Sequence, residues 1–406
     1  MKTFKFLPIA VAVATSIASF SALVADDIEA LTERIQALEA QSDPDLALKF
    51  TGYARYGARY AGGDSELVGI GSTGVAVGRL GNEANGGEFQ FTKGFKTDSG
   101  MLWDVAIMLD HWESSDWGSE GGANVKKFYA SGTNIFESQP GLRIWGGRDF
   151  HQRPQQGLND YMWLAHDGQG AGFDNLDLGG AKFNLAFVGQ VSDNGGALGN
   201  DNGKYAITSK LHGIDAGIGN LDLYFNYGFA SDQAGTALED ENSWVAGAML
   251  GLGSSNKIIA KYADGADNSA FDLAGDKKVM YVSLEGGVNP SENVFVDYLL
   301  SYKDISGDDA TEQSEYSAIV RPMYNWNSVH STWLEAGYAM VDQDAGGDQE
   351  GWKVTLSQNI SMGGLPWSRP MVRFYATFGD VETTDASSVT TNVDTASLGA
   401  MFEAWW

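Results

Sequence analysis

From about Leu48 to the C-terminus, apolar and polar side chains alternate with a period of two, in segments the length of a β-strand. In the first segment Phe50, Ala54, Tyr56 and Ala58 alternate with Tyr53, Arg55 and Arg59. Later, Trp352, Val354 and Leu356 alternate with Lys353, Thr355 and Ser357, and Val372, Phe374, Ala376 and Phe378 alternate with Met371, Arg373, Tyr375 and Thr377. A period of two places each set on its own side of a strand. The second side carries arginine, lysine and hydroxyls, which the core of a β-sandwich would reject. A barrel in lipid accommodates them by turning that side toward a wet interior. The chain ends in the same pattern: Leu398, Ala400, Phe402, Ala404 and Trp406 form the uniformly apolar set, and Ser397, Gly399, Met401, Glu403 and Trp405 the other. The pattern therefore predicts Trp406 in an interfacial aromatic girdle and Trp405 pointing into the barrel, where an indole suits a ligand with an apolar face. Short polar turns alternating with longer Gly/Asp-rich loops fit the two ends of an outer-membrane barrel.

The N-terminus has a different pattern. Lys2 and Lys5 precede an apolar run from Leu7 to Ala18, and Ala25 stands before Asp26 and Asp27, so residues 1–25 read as a secretory signal. The apolar run is shorter than the roughly 20 residues a spanning helix needs. In residues 26–43, Ile28, Leu31, Ile35 and Leu38 occupy a and d positions of two heptads, and Pro44 stops the helix. This predicts a short periplasmic α-helical coiled-coil segment ahead of a barrel domain over 44–406. Two heptads are too few to hold a coil alone, so the segment associates only if barrels bring the copies together; the alternative is a lone amphipathic helix on the barrel rim.

Composition narrows the partners. The formal net charge is −27, and loss of Lys2 and Lys5 with the signal makes it −29. Nucleic acid and anionic lipid are poor partners for such a chain. Export and the absence of cysteine fit a Gram-negative envelope protein held by backbone pairing.

Several motifs occur in order along the chain: Gly52-Tyr-Ala-Arg55, Arg79-Leu-Gly-Asn-Glu83, Ile144-Trp-Gly-Gly-Arg148, Gln152-Arg153, Gly170-Ala-Gly-Phe-Asp-Asn-Leu-Asp177, Arg321-Pro-Met-Tyr-Asn-Trp326, Trp367-Ser-Arg-Pro370 and the terminal Trp405-Trp406. Collinear from Phe50 onward, they resemble the maltoporin family. The N-terminal heptads are similar in placement to the periplasmic extension of sucrose porins. The resemblance implies an eighteen-stranded antiparallel transmembrane β-barrel, all-β apart from the coil, assembled as a homotrimer with an inward-folded third loop. It also implies diffusion of maltose and maltodextrins along an aromatic track facing a polar one. The aromatic track carries over to Tyr53, Trp367 and Trp405, and to Trp117 with a one-residue offset. The polar track carries over to Arg55, Arg79, Lys126, Arg153 and Asp160. Lys126 keeps the charge of the family's arginine and loses its two-pronged grip.

Three positions depart from the family pattern. A track tyrosine after Arg-Leu-Gly-Asn-Glu is replaced by Gly87, with Phe89 two residues on. At the narrowest point Met162 stands where an aromatic is expected, between Tyr161 and Trp163. A further aromatic is replaced by Ala246, near Trp244. The expected function is therefore a sugar porin of the outer membrane, with another oligosaccharide such as sucrose, or less selective diffusion, as the nearest alternative. An envelope-tethering or adhesion protein that uses the barrel as an anchor would not need an aromatic track. Enzymatic chemistry finds no support: His111, His151, His166, His212 and His330 form no metal-type pairing or serine motif. The Asp-rich stretch Asp264 to Asp276 lacks calcium-loop spacing and reads as a solvated loop. No cofactor is expected.

Overall fold

The computed structural model describes residues 46–64, 67–112, 123–191, 202–307 and 312–406. The signal at 1–25, the heptads at 26–43 and Trp117 lie outside the described residues. The unit Leu48–Trp406 holds eighteen strands. They are β1 (Leu48–Ala61), β2 (Gly86–Lys96), β3 (Leu102–Trp112), β4 (Asn124–Thr133), β5 (Arg143–Gln152), β6 (His166–Asp177), β7 (Lys182–Gly189), β8 (Lys204–Asp215) and β9 (Asn220–Ala230). The second half comprises β10 (Asn242–Leu252), β11 (Asn256–Asp264), β12 (Lys278–Ser291), β13 (Val294–Ser306), β14 (Gln313–Asn325), β15 (His330–Gln343), β16 (Asp348–Ser361), β17 (Met371–Thr384) and β18 (Thr390–Trp405). Each strand pairs antiparallel with the next, and β18 returns to β1 in register from Tyr53↔Trp405 to Ala61↔Ser397. That last pairing leaves no open edge, as a membrane requires of a sheet whose backbone must satisfy itself.

Alternation sets the two faces. On β17 Met371, Arg373, Tyr375 and Thr377 are buried inside, while Val372, Phe374 and Phe378 are exposed outside. On β18 Met401 and Glu403 face inward, and Trp406 stands outside beside Phe50 at 5.3 Å and Phe89 at 6.0 Å. Most turns at the end where β18 finishes are tight. Ala216 N donates to Gly219 O at 2.9 Å around Gly217, whose φ of 78° favours glycine. At the other end several connections are long, and among the described residues three of them turn back into the barrel.

Those three loops fill much of the interior. The β1–β2 loop (62–85) lies along the wall of β14 to β17: Leu80 N donates to Glu335 Oε1 at 2.8 Å, Thr355 Oγ1 donates to Leu80 O at 2.9 Å, and Lys353 Nζ donates to the carbonyls of Gly78 and Leu80. The β5–β6 loop (153–165) lies on the adjoining wall, where Gln156 Nε2 donates to Ser283 on β12 at 2.9 Å and Leu158 packs on Leu299 and Ile319. Trp163 packs over Gly247, whose missing side chain leaves room for the indole; a Cβ there would fall 2.7 Å from the ring. The two loops join through Val75 N to Asn159 O at 2.7 Å and Arg79 N to Leu158 O at 2.8 Å. Burying Leu80, Leu158 and Leu164 contributes about 1.5–3 kcal/mol each. That offsets the ordering of only one or two residues apiece, at about 1–2 kcal/mol of backbone entropy per residue. The hydrogen-bond clamps are therefore needed as well.

The third inward loop (265–277) corrects the sequence reading of a solvated Asp-rich segment. Asp267 turns into the barrel, 3.2 Å from Lys261, 2.7 Å from Lys303 and 3.9 Å from Lys277. Burial works against its charge, but Lys261 and Lys303 prevail and hold its pKa down to about 2. Among the described residues, no His/Cys/Asp/Glu group is arranged to hold a metal ion.

Candidate functional site

Two cavities border the tip of the β5–β6 loop, one against β18 and the first strands and the other against β12 to β15. The larger, about 710 Å³, is lined among others by Tyr53, Arg55, Trp112, Lys126, Arg153 and Met162. The second, about 390 Å³, reaches toward the short-turn end past Phe295, Trp367 and Arg369. Both are lined by Arg79, Gly157 and Trp405, so they meet across the tip of the β5–β6 loop.

Strand parity places the rings in a row. Tyr53 on β1 pairs with Trp405 on β18, which sets their rings 6.4 Å apart and 23° from parallel. On the other side of Tyr53, Trp112 lies at 5.9 Å and 27°. In the second cavity Trp367 meets Phe295 edge-on at 5.8 Å. Trp405 is 42% and Trp367 58% exposed, so each offers a ring to whatever enters.

Charged groups line the same path. Asp160, at the loop tip, accepts from Arg55 Nη1 at 2.8 Å and Arg79 Nη1 at 3.3 Å. Its φ of 57° is one that aspartate tolerates better than most residues. Glu403 accepts from Tyr53 OH at 2.8 Å, Arg79 Nη2 at 3.1 Å, Arg373 Nη2 at 3.0 Å and Arg369 Nε at 2.9 Å. Burial disfavours the charge of Arg79, yet the Glu403 and Asp160 carboxylates hold its pKa well above the usual guanidinium value. Lys126 reaches Asp110 at 3.6 Å. Arg153 has no carboxylate partner among the described residues; its guanidinium lies 3.9 Å over Phe150 and donates to Met162 Sδ at 3.2 Å. Anchored by stacking with no ion pair, it keeps hydrogen-bonding capacity for a ligand.

The structure thus brings Tyr53, Trp405, Arg55, Arg79, Lys126, Arg153, Asp160 and Met162 around one cavity, with Trp367 in the adjoining one. At the departure from the family pattern, Met162 lines the opening. Tyr161 and Trp163 turn away from it: Tyr161 is buried against Tyr281 at 5.1 Å and accepts from Lys261 at 3.3 Å, and Trp163 packs edge-on to Tyr224. Met162→Tyr is therefore expected to lower single-channel conductance, because a rigid ring would replace a side chain that folds aside. Unchanged conductance in that variant would show that Met162 does not set the opening.

At two of the departures the neighbouring aromatic turns outward. Phe89 pairs with Gly52 and packs on Trp406 at the outer face, so it supplies no ring to the lumen. Trp244 also faces outward, at 5.3 Å from Tyr262, and Ala246 shares that side; inward room at this strand is taken by Trp163. Sequence reasoning missed Trp112, and it placed Glu403 on the inward set without giving it a role. Trp112 shares parity with Asp110 at the end of β3, and Glu403 shares parity with Trp405, so alternation alone could have found both.

A closed eighteen-stranded barrel with an apolar outside, a charged inside and loops narrowing its bore defines an outer-membrane channel, crossing the bilayer with every strand. The LamB porin family model matches residues 48–406, and the chain belongs to that family. The fold is also similar to solved structures from Pseudomonas aeruginosa. OccK3 (OpdO) aligns with TM-score 0.50 at 14% identity over 92% of this chain and 99% of its own. OccK10 (OpdN) aligns with TM-score 0.51 at 13% over 89% and 99%, and OpdQ with TM-score 0.50 at 12% over 90% and 99%.

Proposed function

We propose that this porin passes maltose and maltodextrins by facilitated diffusion, through stacking on Trp112, Tyr53, Trp405 and Trp367 and hydrogen bonding to Arg55, Arg79, Lys126, Arg153 and Asp160. The observation that carries this reading is the row of rings beside the row of charges. A glucose unit has apolar C–H faces and a belt of equatorial hydroxyls, so it matches rings on one side and charged donors and acceptors on the other. An anchor or an unselective hole has no need of the rings. Trp117 extends the aromatic track in this proposal, as in the sequence reading. Processing of residues 1–25 as an export signal, a coiled coil over 26–43 and assembly as a homotrimer belong to the same proposal.

Trp405→Ala and Trp367→Ala test it. Each ring contact is worth about 0.5–1.5 kcal/mol, so each variant should weaken maltodextrin block of the ion current several-fold while the barrel stays folded. Unchanged block in both variants would return these rings to a structural role at the membrane interface.

A further inference from the structure

The row of rings continues into the second cavity, where the exposed Trp367 stands edge-on to Phe295. The polar groups assigned above do not follow it, apart from Arg79: Arg55, Lys126, Arg153 and Asp160 all line the larger cavity. Most charged residues of the second cavity are already committed. Arg79 is held between Asp160 and Glu403. Arg321 turns its Nε to Glu335 at 2.9 Å. Arg369 donates to Glu403 through Nε and to the carbonyls of Pro366 and Ser368 through Nη1, each at 2.9 Å. Glu285 takes Lys257 Nζ at 2.7 Å. Asp297 is the exception, because among the described residues it forms no hydrogen bond or ion pair. Its place follows from β13. Leu299, packed on Leu158 of the β5–β6 loop, and Phe295, beside Trp367, are the buried inward residues on either side of it, so a period of two turns Asp297 into the cavity between them. Arg321 is its cross-strand neighbour on β14, yet Glu335 has drawn the guanidinium away. On the other side Asp297 faces Gly287 of β12, where an added Cβ would fall 2.8 Å from Asp297 Oδ1. The glycine leaves space beside a carboxylate that nothing neutralises.

We propose that Asp297 is a sugar-binding residue of the second cavity, accepting hydrogen bonds from two neighbouring hydroxyls of a hexose whose C–H face rests on Trp367. An ionised carboxylate only accepts, through two oxygens, so it matches a pair of adjacent hydroxyls that both donate. Bonds to a charged acceptor are also roughly twice as strong as those between neutral groups. The spacing fits. Phe295 lies two residues along the strand, about 6.8 Å from Asp297, and Trp367 packs on Phe295, so one hexose with its hydroxyls bridges ring and carboxylate. This inference rests on the sugar reading proposed above, and it extends the polar side of the path by one residue toward the short-turn end.

The test measures block of the ion current by maltoheptaose, with the full-length channel in a planar bilayer. Asp297→Leu should raise the half-blocking concentration about tenfold, the loss expected when hydrogen bonds to a charged acceptor are removed. Asp297→Asn keeps one acceptor oxygen, so its loss should be smaller. Gly287→Ala leaves the carboxylate in place but crowds it, and should weaken block as well. All three variants should still shift on heating in gels, which shows that the barrel is folded. If Asp297→Leu does not fold, the other two decide. Half-blocking concentrations equal to wild type in the folded Asp297 and Gly287 variants, with block weakened in Trp367→Ala, would overturn this inference and leave the sugar reading standing. A wild-type channel that maltoheptaose does not block would overturn both.

Discussion

Glu403→Leu is expected to destabilise the barrel by about 3–5 kcal/mol, the cost of leaving buried cations without their counter-charge. Glu403 is almost fully enclosed, and it neutralises Arg79, Arg369 and Arg373 together while accepting from Tyr53. Arg373 retains Glu83, and Arg79 retains Asp160, but Arg369 has no second carboxylate among the described residues. Its guanidinium would be left 4.1 Å over Trp405 and 5.8 Å from Trp333. Those ring faces attract a cation, yet each is worth about 0.5–2 kcal/mol and cannot replace a buried carboxylate. Glu403→Gln keeps the acceptor oxygen and the volume, so its loss should be smaller. The measurement is the temperature at which the compact band disappears on gels of detergent-extracted protein. Equal temperatures for wild type and Glu403→Leu would contradict the role assigned to this carboxylate.

Gly78→Ala should have nearly as large an effect, on the bore and not on the wall. Gly78 has φ 96°, and an added Cβ would fall 2.3 Å from Glu335 Oε1. Backbone strain of that kind costs about 1–3 kcal/mol. Glu335 has little room to yield, because it also holds Arg321, Lys353 and Leu80 N. The β1–β2 loop must therefore leave the wall, and the adjacent Arg79 moves with it. Single-channel recordings should show a changed conductance with added current noise, with a smaller fall in unfolding temperature than Glu403→Leu gives. Gly69→Ala is the control, since its Cβ would meet nothing within 4 Å. Indistinguishable traces from the two variants would mean that the loop is not held as described.

These two expectations mark where the sequence stopped being readable. The faces of β17 and β18 follow from a period of two, and so do the inward Arg55, Arg373 and Trp405, because a strand imposes that period locally. The loops obey no period. Asp160 meets Arg55 and Arg79, and Lys353 meets Gly78, only after the barrel has closed around them. Nothing in Asp264 to Asp276 distinguishes a solvated loop from one drawn inward; the difference is made by Lys261 and Lys303 on the wall. Spacing from a motif cannot give the side that Phe89 takes, because strand pairing in β2 fixes parity anew after the loop. Met162 illustrates the same limit: its place beside the opening depends on Tyr161 and Trp163 having pockets of their own in the opposite wall.

The central claim is that the rings from Trp112 to Trp367 bind a sugar chain in transit. It is tested most directly by titrating glucose, maltose and maltodextrins of increasing length against the ion current of the wild-type channel in a planar bilayer. Saturable block is expected, with a half-point that falls as the chain lengthens to span Tyr53, Trp405 and Trp367, then levels off. Absence of block, or a half-point independent of chain length, would contradict it.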